Sequence, residues 1–512
     1  MSAKLQSLIL AVAGLVIAII LGAQVGQDAR TFPLLIIAGS IGTLIYLAWF
    51  RTVRFEALIL SFLLFGYIVG NRGFAQLTIR PNSPLYIGEV GMLACLFLVA
   101  ARRALTREKL VPRTPLSLAI VALLLLGAVR LFFDTVLIDN SRNLTTVIRD
   151  SAAVYYAIFF FIAYQIGKNE GARRFVERTA LAGFLLLIPI AAMEIWASNL
   201  LDRFTIREYP IIQHKGDLLA AFLAIGSCYF FLKKSQGVTK IFFRVCSITS
   251  LILMLFPMSR SAITGFILAT VLLLFAKRRD FAFFQVGFAL IALVTLTFLE
   301  VAGVHFESEL FGKLSDRVAS IVDISGKGDY RSSVGDMSVA NNQFRTVWWK
   351  TVITDTMDKS PWFGLGFGYD LSASFLREYY LNTQMLWDTR SPHCIWITMF
   401  GRLGIFGATV FSAIIFLIIR NALAAARTVA KRRAEPESLF RWCAVIILLC
   451  SALLGVVMEG PMGGILFWSF LGLAVSQQIE GEPDEPVRSP IRKQEVRELP
   501  EPSLAAGRRA IS

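Results

Sequence analysis

The sequence predicts an all-α, polytopic integral membrane protein with about 12–14 transmembrane helices and one large loop on the outer side of the membrane. Hydrophobic residues make up 56% of the chain, and the mean hydropathy is +0.63, which is far too apolar for an ordinary soluble protein. About fourteen apolar runs approach the roughly 20 residues that a helix needs to cross the hydrocarbon core. The six cysteines fall in or beside these runs without a CxxC pair, so they indicate neither a disulfide framework nor a zinc site.

The predicted spans follow one another with mostly short connections. They are 5–22, 32–50, 55–70, 85–101, 116–133, 151–167, 179–196, 216–232, 241–258, 262–276, 281–302, 393–419, 441–458 and 461–477. The first run is long and no small-x-small cleavage site follows it, so we expect an uncleaved span and not a signal peptide. The pair within 241–276 is interrupted only at residues 257–261 and could instead form one long or re-entrant segment.

The formal net charge of +15 is distributed as short basic clusters in alternate loops. This is the pattern that sets membrane orientation, and it does not indicate a nucleic-acid partner. It assigns the amino terminus, the basic loops and the carboxyl-terminal tail to the cytoplasm. The outer side then receives residues 197–215, the break around Arg260, the loop 303–392 and the start of the helix after His393.

These patterns divide the chain into four parts. Residues 1–302 are transmembrane helices with short loops, 303–392 the large outer loop, 393–477 the last transmembrane helices, and 478–512 a charged, disordered tail. Within the loop, residues 323–343 are polar and rich in glycine and serine, which predicts a mobile segment. Residues 344–358 have apolar positions at helical spacing, which predicts an amphipathic helix against the membrane face.

His393 is the first candidate for chemistry, because it stands at the mouth of an apolar span directly after the hydrophilic loop. A neutral imidazole is the side chain best suited to take a proton near neutral pH. The alternative is a structural histidine that caps the helix start after Pro392. Two glycines three residues apart, Gly404 and Gly407, follow inside the same span.

Basic side chains near the outer ends of spans are the candidates for anion binding. Arg260 lies between two apolar runs with no acid close in sequence, and its guanidinium suits pyrophosphate, although an arginine that snorkels to the interface would look the same. The other candidates are Arg207, His214, Lys215 and Arg345. The first three would form a basic edge that attracts an anionic headgroup, and an ordinary interfacial loop explains them equally well.

Two further features have open roles. The segment 361–368 has three glycines with aromatic residues between them, which permits close approach of a ligand to the backbone and stacking of sugars, or simply makes a tight turn. Glu89, Glu194 and Glu459 fall near the outer ends of spans. Any of these acids could orient His393 or pair with an arginine.

Three stretches together resemble the O-antigen ligase and polymerase family over roughly residues 200–420. They are the segment Arg207 to Ala220, the triplet Ser259-Arg260-Ser261, and the series Arg345, Trp348, Pro361, Gly364-Leu365-Gly366 leading to His393 and its glycines. The chain departs from the family pattern at Pro210, Gly216 and Cys394, where the family tends to have glycine, asparagine, and asparagine, serine or glutamine.

The resemblance implies a metal-independent transferase without a cofactor, catalytic on the periplasmic side of the bacterial inner membrane. Arg207 and Arg260 would hold the pyrophosphate of a polyprenyl-pyrophosphate-linked glycan donor, and His393 would activate the acceptor hydroxyl. In a ligase the acceptor is a lipid A core sugar, and in a polymerase it is another lipid-linked chain. The spacing after His393 favours the ligase. A transporter of a small anion or glycolipid, or a scaffold of an assembly complex, are the alternatives from other classes.

Overall fold

The computed structural model describes residues 53–77, 86–107, 109–137, 143–206, 209–257, 259–287, 333–379 and 391–480. Within these ranges the protein is helical apart from one two-stranded antiparallel ladder, which confirms the predicted fold class. The predicted spans 5–22 and 32–50, most of the predicted span 281–302, and nearly all of the predicted tail lie outside the described residues.

The helices are numbered in chain order. They are α1 Phe55–Val69, α2 Arg72–Ala75, α3 Ile87–Thr106, α4 Pro115–Phe132 with a π-helical continuation Phe133–Leu137, α5 Leu144–Tyr155, α6 Ile158–Gly167, α7 Glu170–Trp196, α8 Ser198–Leu201, α9 Gly216–Leu232, α10 Gly237–Leu255, α11 Arg260–Phe275, α12 Ser333–Lys359, α13 Ala373–Tyr379, α14 Ile395–Ala430, α15 Phe440–Leu453 and α16 Pro461–Glu480. A 3-10 turn, Pro436–Leu439, precedes α15, and the ladder pairs β1 Thr205–Ile206 with β2 Tyr209–Pro210.

Of the twelve predicted spans from 55–70 to 461–477, eleven coincide with a helix named above, and residues 281–287, the described start of the remaining one, are helical as well. Among the described residues, five helical stretches are long and apolar enough to cross a membrane, and the bent pair α5 and α6 makes six if it forms one broken span. The helices α1, α9 and α11 are apolar but shorter than 18 residues. The region 241–276 forms two helices, α10 and α11, so its prediction as a pair of helices is confirmed.

Local sequence signals set several helix starts. Thr114 accepts a hydrogen bond from the backbone of Ser117 ahead of Pro115, and Asn169 accepts one from the backbone of Ala172. These side chains satisfy amide groups that the first turn of a helix leaves without a partner. The helices then pack as α1 on α7, α6 on α16, α9 on α10 and α11 on α15, around one extended apolar core.

Helix α14 is broken at Gly404, whose φ of 66° and ψ of −158° lie outside the helical region. The segment 361–366 docks into the break through its backbone. The amides of Leu365 and Ile405 donate to the carbonyls of Gly401 and Pro361 at 2.7 and 2.8 Å. The amide of Gly366 donates to the carbonyl of Arg402 at 3.2 Å. The segment 361–366 is therefore bound to the helix that begins next to His393 by main-chain hydrogen bonds.

A buried charged cluster fastens the same loop to the helices beneath it. Arg402 is only 3% exposed; it pairs with Asp150 at 2.9 Å and donates to the carbonyls of Gly366 and Tyr369. The carboxylate of Asp150 accepts the amide of Gly368 at 2.9 Å, so one acid serves both the arginine and the loop. Buried charges are tolerated only when they are paired and hydrogen-bonded, and here both conditions are met.

Helix α12 corrects one prediction and extends another. It begins at Ser333, so the prediction that residues up to 343 are mobile is wrong for 333–343. Its carboxyl-terminal half includes the predicted helix 344–358 and buries Trp348 and Val352 against residues at the start of α14. This packing stabilises a helix whose polar amino-terminal half has little helical preference of its own, since tertiary contacts override weak propensity.

Candidate functional site

The turn that carries His393 is shaped by its neighbours. The backbone of His393 adopts a left-handed conformation with φ +57°, and its amide donates to Oγ of Ser391 at 3.3 Å. The indole of Trp349 on α12 donates to the carbonyl of Pro392 at 2.6 Å. A non-glycine residue with positive φ costs free energy, and such strain persists only where surrounding contacts hold it. The turn is thus held from the outer-loop side.

The imidazole of His393 lies half-buried against Trp348, with ring centroids 5.6 Å apart in an edge-to-face arrangement. Its Nδ1 atom is buried, and no described residue forms a hydrogen bond with it. Burial, together with the nearby positive charges of Arg345 and Lys215, lowers the pKa of His393 to about 4, and the carboxylate of Asp217 partly opposes that shift. The imidazole is therefore neutral at physiological pH and has a nitrogen lone pair to offer.

Two of the predicted basic residues, Arg345 and Lys215, act on His393 from two separate segments that both precede it in the sequence. Arg345 lies on α12, and Lys215 is the residue before α9. The ammonium of Lys215 donates to the carbonyl of Val456 at 3.3 Å, and burial lowers its pKa. Asp217, in the first turn of α9, belongs to the same group and was not predicted. The sequence did contain a signal for Asp217, because it lies two residues after the candidate Lys215, in the first turn of α9.

Of the three candidate acids, Glu459 is the one that lies next to the His393 turn. It accepts hydrogen bonds from the hydroxyls of Thr398, at 2.6 Å, and Ser391. Burial raises its pKa. Because Ser391 also accepts the amide of His393, Glu459 contacts the histidine turn through that serine. The other two acids serve elsewhere: Glu89 accepts from Tyr155 and Tyr156, and Glu194 contacts His214.

Arg260 joins helix α11 to helix α12. Ser259 caps α11 by accepting the amide of Ala262, and it lies 3.1 Å from the hydroxyl of Ser261. The serines of this triplet therefore shape the helix start, and Arg260 is the first helical residue. Its guanidinium donates to the side-chain oxygen of Asn342 at 2.8 Å.

The other predicted residues have different surroundings. Arg207 lies outside the described residues. The side chain of His214 has no exposed surface; its Nδ1 lies 3.0 Å from Glu194 and its Nε2 lies 3.1 Å from the carbonyl of Ile68. These contacts fix the segment before α9 to the end of α1. His214 therefore holds the backbone that presents Lys215.

The glycine-rich segment 361–368 packs closely against the backbone of α14. Close approach of a ligand and a tight turn were the two roles predicted for it. A side chain at Gly364 would lie 2.5 Å from the backbone of Arg402 and Gly404, and Gly364 has φ +73°. The glycines thus permit the docking into α14. Two aromatic residues of the segment face outward: Trp362 and Phe363 are 55% and 59% exposed and lie beside Phe406, whereas Phe367 is buried.

Comparison with known proteins bears on the central part of the chain. Residues 245–412 match the family model described as O-antigen ligase. The match includes Arg260, Arg345, His393 and the break at Gly404. It begins at residue 245, so Lys215 lies outside it. Among curated proteins, no significant match is found. This match agrees with the motifs of the sequence and supports the resemblance of residues 245–412 to the O-antigen ligase and polymerase family.

Proposed function

We propose that this protein is an O-antigen ligase that transfers a polyprenyl-pyrophosphate-linked glycan to a hydroxyl of a lipid A core sugar. The reaction would take place on the periplasmic side of the bacterial inner membrane, with both chain termini in the cytoplasm. The observation that carries the proposal is the buried, neutral imidazole of His393 next to the cations Arg345 and Lys215. A base beside positive charge suits a reaction between a hydroxyl and an anionic donor.

In the proposed reaction, the acceptor hydroxyl gives its proton to Nδ1 of His393 while its oxygen attacks the anomeric carbon of the donor sugar. The bond between that carbon and the pyrophosphate oxygen breaks, and polyprenyl pyrophosphate leaves with the electron pair. Donor binding would also strengthen the base. The pyrophosphate would offset the charge of Arg345 and Lys215, which helps keep the pKa of His393 near 4 without substrate.

The remaining candidates take supporting roles in this proposal. Arg260 and Arg207 would contribute to pyrophosphate binding, Arg260 from the junction between α11 and α12 where it already contacts Asn342. Guanidinium groups make paired hydrogen bonds to phosphate oxygens and neutralise the charge that develops on the leaving group. His214 would act through the backbone, by fixing the segment that carries Lys215.

A reconstituted transfer assay tests the reaction and separates ligase from polymerase. The full chain in nanodiscs would receive the lipid-linked glycan donor with either a lipid A core acceptor or a second lipid-linked glycan. We expect glycan on the lipid A core and no lengthening of the lipid-linked chain. Lengthening alone would identify a polymerase. Absence of both products, together with movement of a glycolipid across sealed vesicles, would favour a transporter.

The rate of transfer should depend on pH in a way that reports the charge near His393. With a pKa of about 4, His393 stays neutral between pH 7 and pH 5, and the rate should fall only as the pH approaches 4. Arg345→Gln removes a positive charge that lowers this pKa, so the acid limb of the rate profile should move to higher pH. The measurement is the transfer rate from pH 4 to pH 8 at a donor concentration well below saturation, where the profile reports the protein without bound donor.

Arg377→Gln is the matched control for that experiment. Arg377 is an exposed arginine on α13 whose guanidinium bonds within its own helix, so the change should leave the profile in place. An unshifted acid limb in Arg345→Gln would contradict the role of Arg345. The free energy of unfolding should also decrease as the pH falls from 6.5 to about 4. In this range the unfolded state binds a proton at His393 and the folded state does not.

A further inference from the structure

A polar recess, separate from the His393 site, lies at the opposite end of the helices that begin near His393. Its cavity has a volume of about 340 Å³ and is lined by the end of α9, the start of α10, the residues after α11 and the turn before α15. Helix α9 starts next to Lys215 and ends next to Lys233. Its 17 residues rise about 25 Å, so the recess lies about that far from the Lys215 segment.

Five basic and three acidic side chains line the recess. Each acid is paired with a cation. Lys233 contacts Glu437 at 2.5 Å, Lys234 contacts Glu435 at 2.9 Å, and Arg278 contacts Asp280 at 2.5 Å. Two cations of the set, Lys240 and Arg244, remain after these pairs are formed. The recess therefore has an excess of positive charge.

Arg244 has a guanidinium nitrogen that no described residue bonds, although the carboxylate of Asp280, which is paired with Arg278, also acts on its charge from nearby. Its guanidinium carbon lies 3.3 Å from the ring centroid of Phe231, and its Nη1 atom is buried without a hydrogen-bond partner among the described residues. A buried donor without a partner costs free energy, which a bound phosphate oxygen would recover. Lys240 lies four residues earlier on α10, and therefore on the same side of that helix.

The outer surface of α10 next to the recess is apolar and exposed. Val238, Ile241, Phe242 and Val245 are 82%, 65%, 51% and 55% exposed. Such a surface on an apolar helix is suited to acyl chains, whereas a soluble phosphate ester would gain nothing from it. The recess thus places positive charge directly beside a hydrocarbon-compatible face.

We propose that this recess binds the phosphate group of an anionic membrane lipid, with Arg244 and Lys240 as the principal contacts. The guanidinium of Arg244, stacked on Phe231, would donate to the phosphate, and Lys240 would add a second positive charge at the entrance. The acyl chains would lie along Ile241 and Phe242. Basic pockets beside apolar helices recognise lipid headgroups by this combination of charge and hydrocarbon contact.

Native mass spectrometry of the full chain in detergent, after removal of co-purified lipid, tests the site. Phosphatidylglycerol, phosphatidylcholine and glycerol 3-phosphate would be titrated separately. We expect phosphatidylglycerol to bind at least tenfold more tightly than the other two. The double variant Lys240→Gln/Arg244→Gln should weaken its binding at least tenfold. Arg244→Lys keeps the charge but loses the planar guanidinium. Its affinity for phosphatidylglycerol should lie between those of the wild type and the double variant.

The charge-matched control is the double variant Lys431→Gln/Arg433→Gln, which removes two exposed cations beyond the end of α14 that do not line the recess. It should bind phosphatidylglycerol as the wild type does. Equal affinities of the two double variants, or equal binding of phosphatidylglycerol and phosphatidylcholine, would overturn the proposal. Tight binding of glycerol 3-phosphate that is lost in Lys240→Gln/Arg244→Gln would instead assign the recess to a soluble phosphate ester. Because Lys240 is exposed, Lys240→Gln alone repeats the test if the double variant does not fold.

Discussion

Replacement of His393 by asparagine should lower the rate of glycan transfer by about 10²- to 10⁴-fold, the usual contribution of a general base. Asparagine is the informative substitution because it tolerates the left-handed backbone that His393 adopts, with φ +57°. Alanine tolerates this conformation less well than histidine or asparagine, so it would combine additional backbone strain with the loss of the imidazole. The transfer rate and the unfolding temperature should be measured together, in nanodiscs, on the same preparations.

The unfolding temperature of His393→Asn should fall only slightly, because Nδ1 has no hydrogen bond to lose among the described residues and the variant removes only the edge-to-face contact with Trp348. Thr346→Ala is the control. Thr346 is an exposed residue on α12 that bonds only the carbonyl of Asn342 in its own helix, and its loss should leave the rate unchanged. Transfer within tenfold of the wild-type rate in His393→Asn would show that the histidine only shapes the helix start.

Much of the fold was accessible from the sequence because helices in a membrane are marked by local runs of apolar residues. The break between α10 and α11 was visible as Pro257 to Ser261, and the start of α14 as Pro392 and His393. These features depend on residues close together in the chain. Lys215 and Arg345 could likewise be chosen as candidates from their charge and position in the sequence. The sequence did not predict that both would lie near His393.

The partners of the charged residues were not accessible, since they lie far apart in sequence. Arg260 contacts Asn342, 82 residues later, and Arg402 pairs with Asp150 from another helix. No periodicity or spacing predicts such a pairing. Glu459 shows the intermediate case: its position near an outer helix end made it one of three candidates, and only the fold distinguishes it from Glu89 and Glu194.

The polar stretch 333–343 was mistaken for a mobile loop for a related reason. Glycine, serine and asparagine do lower helical preference, so the composition was correctly judged. What the composition does not contain is the anchor: the buried Trp348 and Val352 further along α12 and the bond between Asn342 and Arg260. A helix held at one end by packing can extend through a segment that would not form it alone.

Gly404→Ala should destabilise the folded protein by at least about 3 kcal/mol, the combined effect of backbone strain and collision. The backbone of Gly404, with φ 66° and ψ −158°, lies in a region that only glycine occupies readily. An added Cβ would lie 2.4 Å from the backbone carbon and oxygen of Trp362. These atoms belong to the docked segment, so relief requires that the segment move away from α14. Thermal unfolding in nanodiscs measures the effect.

Gly237→Ala separates the two contributions. Gly237 also has a positive φ, +55°, but a Cβ there would meet nothing within 4 Å. It should therefore lose only about 1–2 kcal/mol, the cost of the left-handed backbone alone. Equal losses in both variants would show that the segment 361–366 yields without resistance. A larger loss at Gly404, with faster proteolysis within residues 361–379, would instead show that the added methyl group displaces the docked segment and that its contacts with α14 stabilise the fold. Because Trp349 on the adjoining α12 holds the carbonyl of Pro392, release of this segment should also loosen the turn that presents His393.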